Sequence, residues 1–200
     1  MTEVIPAILE QDFEEIEKKI HAVEGLVSWV QIDIADNSLV SSTTFLDPAP
    51  FRKLVSGSSP NSPSYGKRGL GGVNFELHLM VKDPLRYLPG FAQVGFKRFY
   101  AHVEGDYVED YIARAYQLGV EVGLAIDGPT PFEKIHPYLD NIDCVLVMAI
   151  EAGASGRPFR EDTLEKIKKI KESDFDIPVG VDGAMNQENA KKVISAGATR

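Results

Sequence analysis

The stretch WVQIDIADNSLV, Trp29 to Val40, opens on an apolar run that holds Gln31 and Asp33 and is followed directly by Asp36. The run reads as a buried strand. An ionised carboxylate there is costly unless something pairs with it. The fold and the chemistry both turn on what those acids face.

Runs of the same kind recur along the chain: VIPAIL (4–9), FELHLMV (75–81), RFYAHV (98–103), EVGLAI (121–126), CVLVMAI (144–150) and PVGVDG (178–183). Most are apolar on both faces, which suits parallel strands covered on both sides. Amphipathic segments separate them. In QDFEEIEKKIHAVEG (11–25), Phe13, Ile16, Ile20 and Val23 recur at helical spacing, with Glu14–Lys18 and Glu15–Lys19 as i,i+4 pairs. DPLRYLPGFAQVG (83–95) starts with an Asp83 cap and Pro84, and Pro89 is expected to kink or shorten its helix. TPFEKIHPYL (130–139) reads as a capped helix on Thr130, Pro131 and Glu133. EDTLEKIKKIKES (161–173) and NQENAKKVISAGA (186–198) complete the set.

This β-α alternation implies a parallel sheet, either open and doubly wound or closed as a (β/α)8 barrel. No G-x-G-x-x-G follows the first strand, which weighs against a dinucleotide-binding sheet. The Ser-, Gly- and Pro-rich segment 56–72 reads as a mobile surface loop inside one domain, because the rhythm continues across it. The chain reaches SAGATR just where another strand is due, so the expectation is one domain over 1–200, a barrel lacking its last β-α unit.

Bulk properties narrow the function. The 200 residues are 44% apolar and 26% charged, an ordinary globular composition with room for a sizeable core. A net charge of −9 without a basic run argues against nucleic acid. Cys144 is the only cysteine, so no intrachain disulfide or cysteine zinc cluster can form. No signal-peptide pattern and no membrane-length apolar run is present, and a cytoplasmic protein is expected.

Polar residues collect at the C-terminal ends of the expected strands, where barrel enzymes place their chemistry. They are Gln31, Asp33 and Asp36; His78 with Met80; His102 and Glu104; Asp127; Met148; and Asp182 with Gly183. Taken singly, most have a plain reading: Asp36, Glu104 and Asp127 as caps or loop acids, His78 and His102 as core histidines, Met80 and Met148 as core filler. His21 and His136 belong to outward helices. In a barrel, however, Asp33, His78 and Asp182 share one face. Two carboxylates and an imidazole suit Zn²⁺ or Fe²⁺. Two aspartates on opposite faces of a carbon can move a proton off one side and onto the other.

PAILEQDF, QIDIAD, ELHLMVKDP, HVEG, GLAIDGPTPFE, VLVMAIEAG, VDGAMNQENA and AGAT, in this order, resemble the ribulose-phosphate 3-epimerase family of (β/α)8 barrels along nearly the whole chain. The resemblance implies interconversion of D-ribulose 5-phosphate and D-xylulose 5-phosphate through an enediolate. It implies Asp33 and Asp182 as the acid/base pair and, with His78, as ligands of a divalent metal. Met80 and Met148 would pack over the substrate, and Gly153, Gly156 and Gly183 would lie near its phosphate.

Several positions depart from the family pattern. Gln31 stands where a metal-binding histidine is usual, which predicts weak metal binding. Ala7 replaces a serine, and Ala35 a methionine. AGASGR brings Ala152, Ala154 and Arg157 into the phosphate-side loop, and Gly183–Ala184 replaces a double glycine. The related decarboxylases carry Asp-x-Lys on the second strand, whereas this chain has Asp33-Ile34-Ala35, which disfavours decarboxylation. Two alternatives stay open, a non-catalytic sugar-phosphate-binding homologue and an epimerase for another ketose phosphate; a homo-oligomer is compatible with either.

Overall fold

The computed structural model describes residues 2–55, 73–153, 156–173 and 175–200, so the expected 56–72 loop and Ala154 lie outside it. Seven strands form one sheet: β1 (Ala7–Ile8), β2 (Trp29–Ala35), β3 (Asn74–Met80), β4 (Arg98–His102), β5 (Glu121–Ile126), β6 (Cys144–Met148) and β7 (Val179–Asp182). Every neighbouring pair is parallel, and the spatial order is the chain order, β1 to β7. A doubly wound sheet reverses its strand order at a switch point. Here each strand adds on the same side of the last, which is the winding of a (β/α)8 barrel.

Period-two alternation divides each strand between two environments. Val30, Ile32 and Ile34, Phe75, Leu77 and Leu79, and Val145 and Val147 join the main core with the helices. Ala35, Met80, Tyr100, Ala125, Cys144, Leu146 and Met148 form a second buried cluster on the opposite face. The strands look apolar throughout because both faces are covered. At the N-terminal end of the inner face, Arg98 pairs with Glu76 at 2.5 Å and with Glu121 at 2.9 Å, and Arg200 reaches Glu121 at 3.1 Å. These charges fill the barrel floor and leave the C-terminal end for the site.

The helices are α1 (Phe13–Val23), α2 (Arg52–Val55), α3 (Leu88–Val94), α4 (Val108–Gln117), α5 (Asp162–Glu172) and α6 (Gln187–Ala196). Asp12 caps α1 by accepting from the N–H groups of Glu14 and Glu15, and Ile16 and Ile20 are its buried stripe. Its charged face pairs differently from the expected i,i+4 pattern, with Lys18 on Glu15 and Lys19 on Glu10. Pro89 acts as expected: a 3-10 turn over Pro84–Arg86 precedes α3, whose first turn holds the proline. The 130–139 segment departs from expectation. It forms 3-10 turns, Phe132–Lys134 and His136–Asn141, with no side-chain cap. Pro137 has no N–H to continue an α-helix, and its ring clashes with the preceding turn.

The two sheet edges are bridged by residues 199 and 200. The Thr199 N–H donates to Val179 O, the Val181 N–H to Arg200 O and the Glu3 N–H to Thr199 O. Among the described residues, no helix is long and apolar enough to cross a membrane.

Candidate active site

Strand register assembles the site. Gln31 and Asp33 lie two apart on β2 and so share a face. Asp33 is in register with His78 on β3, and Asp182 on β7 with Met148 on β6. The sheet's curl brings β7 back toward β2, and Gln31 spans the gap. Its amide nitrogen donates to Asp33 Oδ1 at 2.9 Å and to Asp182 Oδ2 at 2.8 Å. His78 Nδ1 lies 3.1 Å from Asp33 Oδ1 and 3.7 Å from Asp182 Oδ2. Ligand atoms of Asp33, His78 and Asp182 all fall within 4.8 Å of one another, a spacing one metal ion can bridge.

The electrostatics favour positive charge at this point. Burial pushes the Asp182 carboxyl up, and the neighbouring Asp33 charge adds to that shift. His78 is fully buried, which by itself disfavours its cation. The hydrogen bond to Asp33 and the charges of Asp33, Asp182 and Glu76 outweigh that cost and raise its pKa. A cation between the two carboxylates therefore relieves their repulsion, whether it is a proton on His78 or a metal ion.

Asp33, His78 and Asp182 open onto a cavity of about 420 Å³. Met80, Met148, Gly153, Gly156 and Gly183 line it, so the expected substrate-side residues share one chamber with the acids. Gly183 has φ +100°, and a Cβ there would come within 2.5 Å of Ile150. Gly153, at φ +102°, would meet Val40 at 2.7 Å. Both positions need glycine for conformation and for space.

Other residues fall differently from expectation. Ile5, Leu9, Ile150 and Met185 also line the cavity, apolar positions with no signal in the sequence to mark them. Ala184 holds a left-handed φ of 54°, a conformation costly for a side-chain-bearing residue, immediately after Asp182 and Gly183. Arg157 turns onto its own loop, reaching Glu151 O at 3.1 Å and the Glu151 carboxylate at 3.0 Å. Asp36 is structural as expected, accepting from Tyr87 at 2.9 Å and from the Ser38 N–H at 3.0 Å.

Glu104 and His102 do more than the sequence suggests. His102 Nε2 lies 2.9 Å from His78 Nε2, and His102 Nδ1 lies 2.9 Å from Glu104 Oε2. Burial would push Glu104 up, but hydrogen bonds from His102, Thr130 and the Asp127 N–H hold its carboxyl at about 2. No spacing in the sequence marked the pair, because β4 ends at His102 and Glu104 lies in the turn beyond it.

A family model for the ribulose-phosphate 3 epimerase family matches residues 3–200. The chain is 31% identical to the ribulose-phosphate 3-epimerase of Bacillus subtilis, over 99% of this chain and 88% of that protein. It is 30% identical to the Schizosaccharomyces pombe enzyme of the same name, over 98% and 82%. The Escherichia coli K12 enzyme is 29% identical, over 98% and 84%. Solved structures with a similar fold include the phospho-2-dehydro-3-deoxyheptonate aldolase of Thermotoga maritima, with TM-score 0.66 and 12% identity over 99% of this chain and 58% of that one. A tryptophan synthase complex from Pyrococcus furiosus has TM-score 0.65 and 13% identity over 100% and 86%. At such identities these structures bear on the fold alone, which is that of a TIM barrel. The sequence relatives and the family match decide the assignment: the chain belongs to the ribulose-phosphate 3-epimerase family, a family of isomerases.

Proposed function

We propose that this barrel interconverts D-ribulose 5-phosphate and D-xylulose 5-phosphate by moving the C3 proton between Asp33 and Asp182. The observation that carries the reading is the pair of carboxylates bridged by one amide at the floor of one cavity, with His78 beside both. Epimerisation needs a base on one face of the carbon and an acid on the other. Burial and the nearby Asp33 charge favour the protonated form of Asp182, which suits it to deliver a proton. Asp33 serves as its counterpart.

The donor set fits a divalent metal, since two carboxylates and an imidazole converge where positive charge is favoured. Asp33, His78 and Asp182 would hold it. When bound, it supplies positive charge beside the oxygens of the enediolate. Gln31 turns its amide nitrogen, not its oxygen, toward both carboxylates, so it competes with a cation for them. In this reading Met80 and Met148 cover the planar intermediate and exclude water. Gly153, Gly156 and Gly183 admit the phosphate end, and residues 1–200 act as one domain.

Exchange of the substrate's C3 proton in D₂O tests the acid/base pair. With a divalent metal added, the wild-type protein exchanges this proton and forms D-xylulose 5-phosphate, and Asp182→Asn loses that epimerisation by roughly 10²-fold or more. An Asp182→Asn variant that epimerises as fast as wild type would remove Asp182 from the mechanism. Tight sugar-phosphate binding without exchange by the wild-type protein would favour a non-catalytic role.

A further inference from the structure

His78 is held at both ring nitrogens. Nδ1 faces Asp33 Oδ1 at 3.1 Å, and Nε2 faces His102 Nε2 at 2.9 Å. The two imidazoles are 24° from coplanar with centroids 5.1 Å apart. That separation is about the nitrogen contact plus two ring radii, so the rings meet edge to edge along a single hydrogen bond. Only one proton fits between the facing nitrogens, and one ring must donate it.

The next contact decides which. His102 Nδ1 lies 2.9 Å from Glu104 Oε2, and the other Glu104 oxygen accepts the Asp127 N–H at 2.9 Å. An ionised carboxylate only accepts, so His102 donates from Nδ1. With its Nδ1–H committed to Glu104, His102 has Nε2 left to accept, and it takes the proton of His78 Nε2–H. Nδ1 is then the nitrogen that bonds Asp33, and its proton is the one a cation would displace to meet a lone pair directed toward Asp33 and Asp182. We propose that Glu104 and His102 are positioning residues that fix His78 in its Nε2–H tautomer, so that Nδ1 is presented to a divalent cation shared with Asp33 and Asp182. The inference rests on the metal reading of that group. Neither residue touches the substrate cavity; both act through His78. Such outer hydrogen bonds orient a ligating histidine and raise its basicity.

Glu104→Gln tests the direction of the relay with little change of shape. The Asp127 N–H needs an acceptor, so the amide oxygen stays on it and the NH₂ faces His102 Nδ1. Every bond in the chain then reverses, and His78 carries its proton on Nδ1, where it cannot ligate. Competition against a chromophoric chelator should show zinc affinity falling by roughly 10–100-fold. In ¹⁵N-labelled metal-free variant, long-range ¹H–¹⁵N spectra should show His78 as the Nδ1–H tautomer. A purely structural Glu104 would leave both readouts unmoved, and wild-type zinc affinity in Glu104→Gln overturns the proposal. The zinc-loaded wild-type protein gives a second measurement that needs no variant: His102 should carry Nδ1–H and His78 Nε2–H. Zinc bound with the opposite tautomers overturns this inference alone. A wild-type protein that binds none of Zn²⁺, Fe²⁺, Co²⁺, Mn²⁺ and Mg²⁺ overturns the metal reading and this inference with it.

Discussion

Gln31 is the residue that ties the two acids of the site together. Asp33 and Asp182 lie within reach of one side-chain amide, and that amide donates to both. Two hydrogen bonds to buried carboxylates offset part of their repulsion without any metal. The same bonds must be surrendered when a cation takes the carboxylate oxygens. Gln31→His replaces this competitor with a ligand, and zinc affinity measured by competition should rise at least roughly tenfold, about 1.4 kcal/mol. Unchanged affinity would place residue 31 outside the metal's reach. Asp33, His78 and Asp182 could be read as neighbours because each lies in the C-terminal half of an apolar strand, and parallel register carries those positions to one mouth. The link through His102 to Glu104 was not legible. It depends on ring orientations and on an N–H from the loop after β5, and linear spacing encodes neither.

At the scale of elements, strand positions were readable because runs apolar on both faces are confined to covered parallel sheets. The α4 helix was not among the segments read from the sequence, although Val108, Tyr111, Ile112 and Ala115 have helical spacing and are buried. The 130–139 turns were misleading. Thr130 and Glu133 match a capping box, yet the Thr130 hydroxyl hydrogen-bonds Glu104, and Pro137 stops the helix. Inside the barrel, packing between strands is closest at Gly123, which is in register with Tyr100. A Cβ at Gly123 would lie 2.3 Å from a Tyr100 ring carbon and 2.9 Å from Cys144 Sγ. Tyr100 is fully buried and cannot swing outward. Gly123→Ala should therefore destabilise the protein by about 1–3 kcal/mol, seen as a lower midpoint in urea unfolding. An unchanged midpoint would mean that the interior has room the packing does not show.

Across the whole molecule, the inner face of the sheet is layered by chemistry. Ion pairs of Arg98, Glu76, Glu121 and Arg200 fill the floor, a tyrosine and small residues fill the middle, and acids, His78 and methionines face the cavity at the C-terminal end. An excess of acids, net charge −9, is no obstacle to a phosphosugar if the phosphate meets backbone N–H groups of glycine turns. The chain spans 81–88% of the length of five curated epimerases that it matches. The central claim is that the two aspartates epimerise a ketopentose phosphate at C3. Its most direct test follows D-ribulose 5-phosphate by NMR in D₂O with the wild-type protein and, in turn, Zn²⁺, Fe²⁺, Co²⁺, Mn²⁺ and Mg²⁺. The account predicts D-xylulose 5-phosphate carrying deuterium at C3 with at least one of these ions. Neither product nor C3 deuterium in the recovered substrate, with any of them, would contradict it.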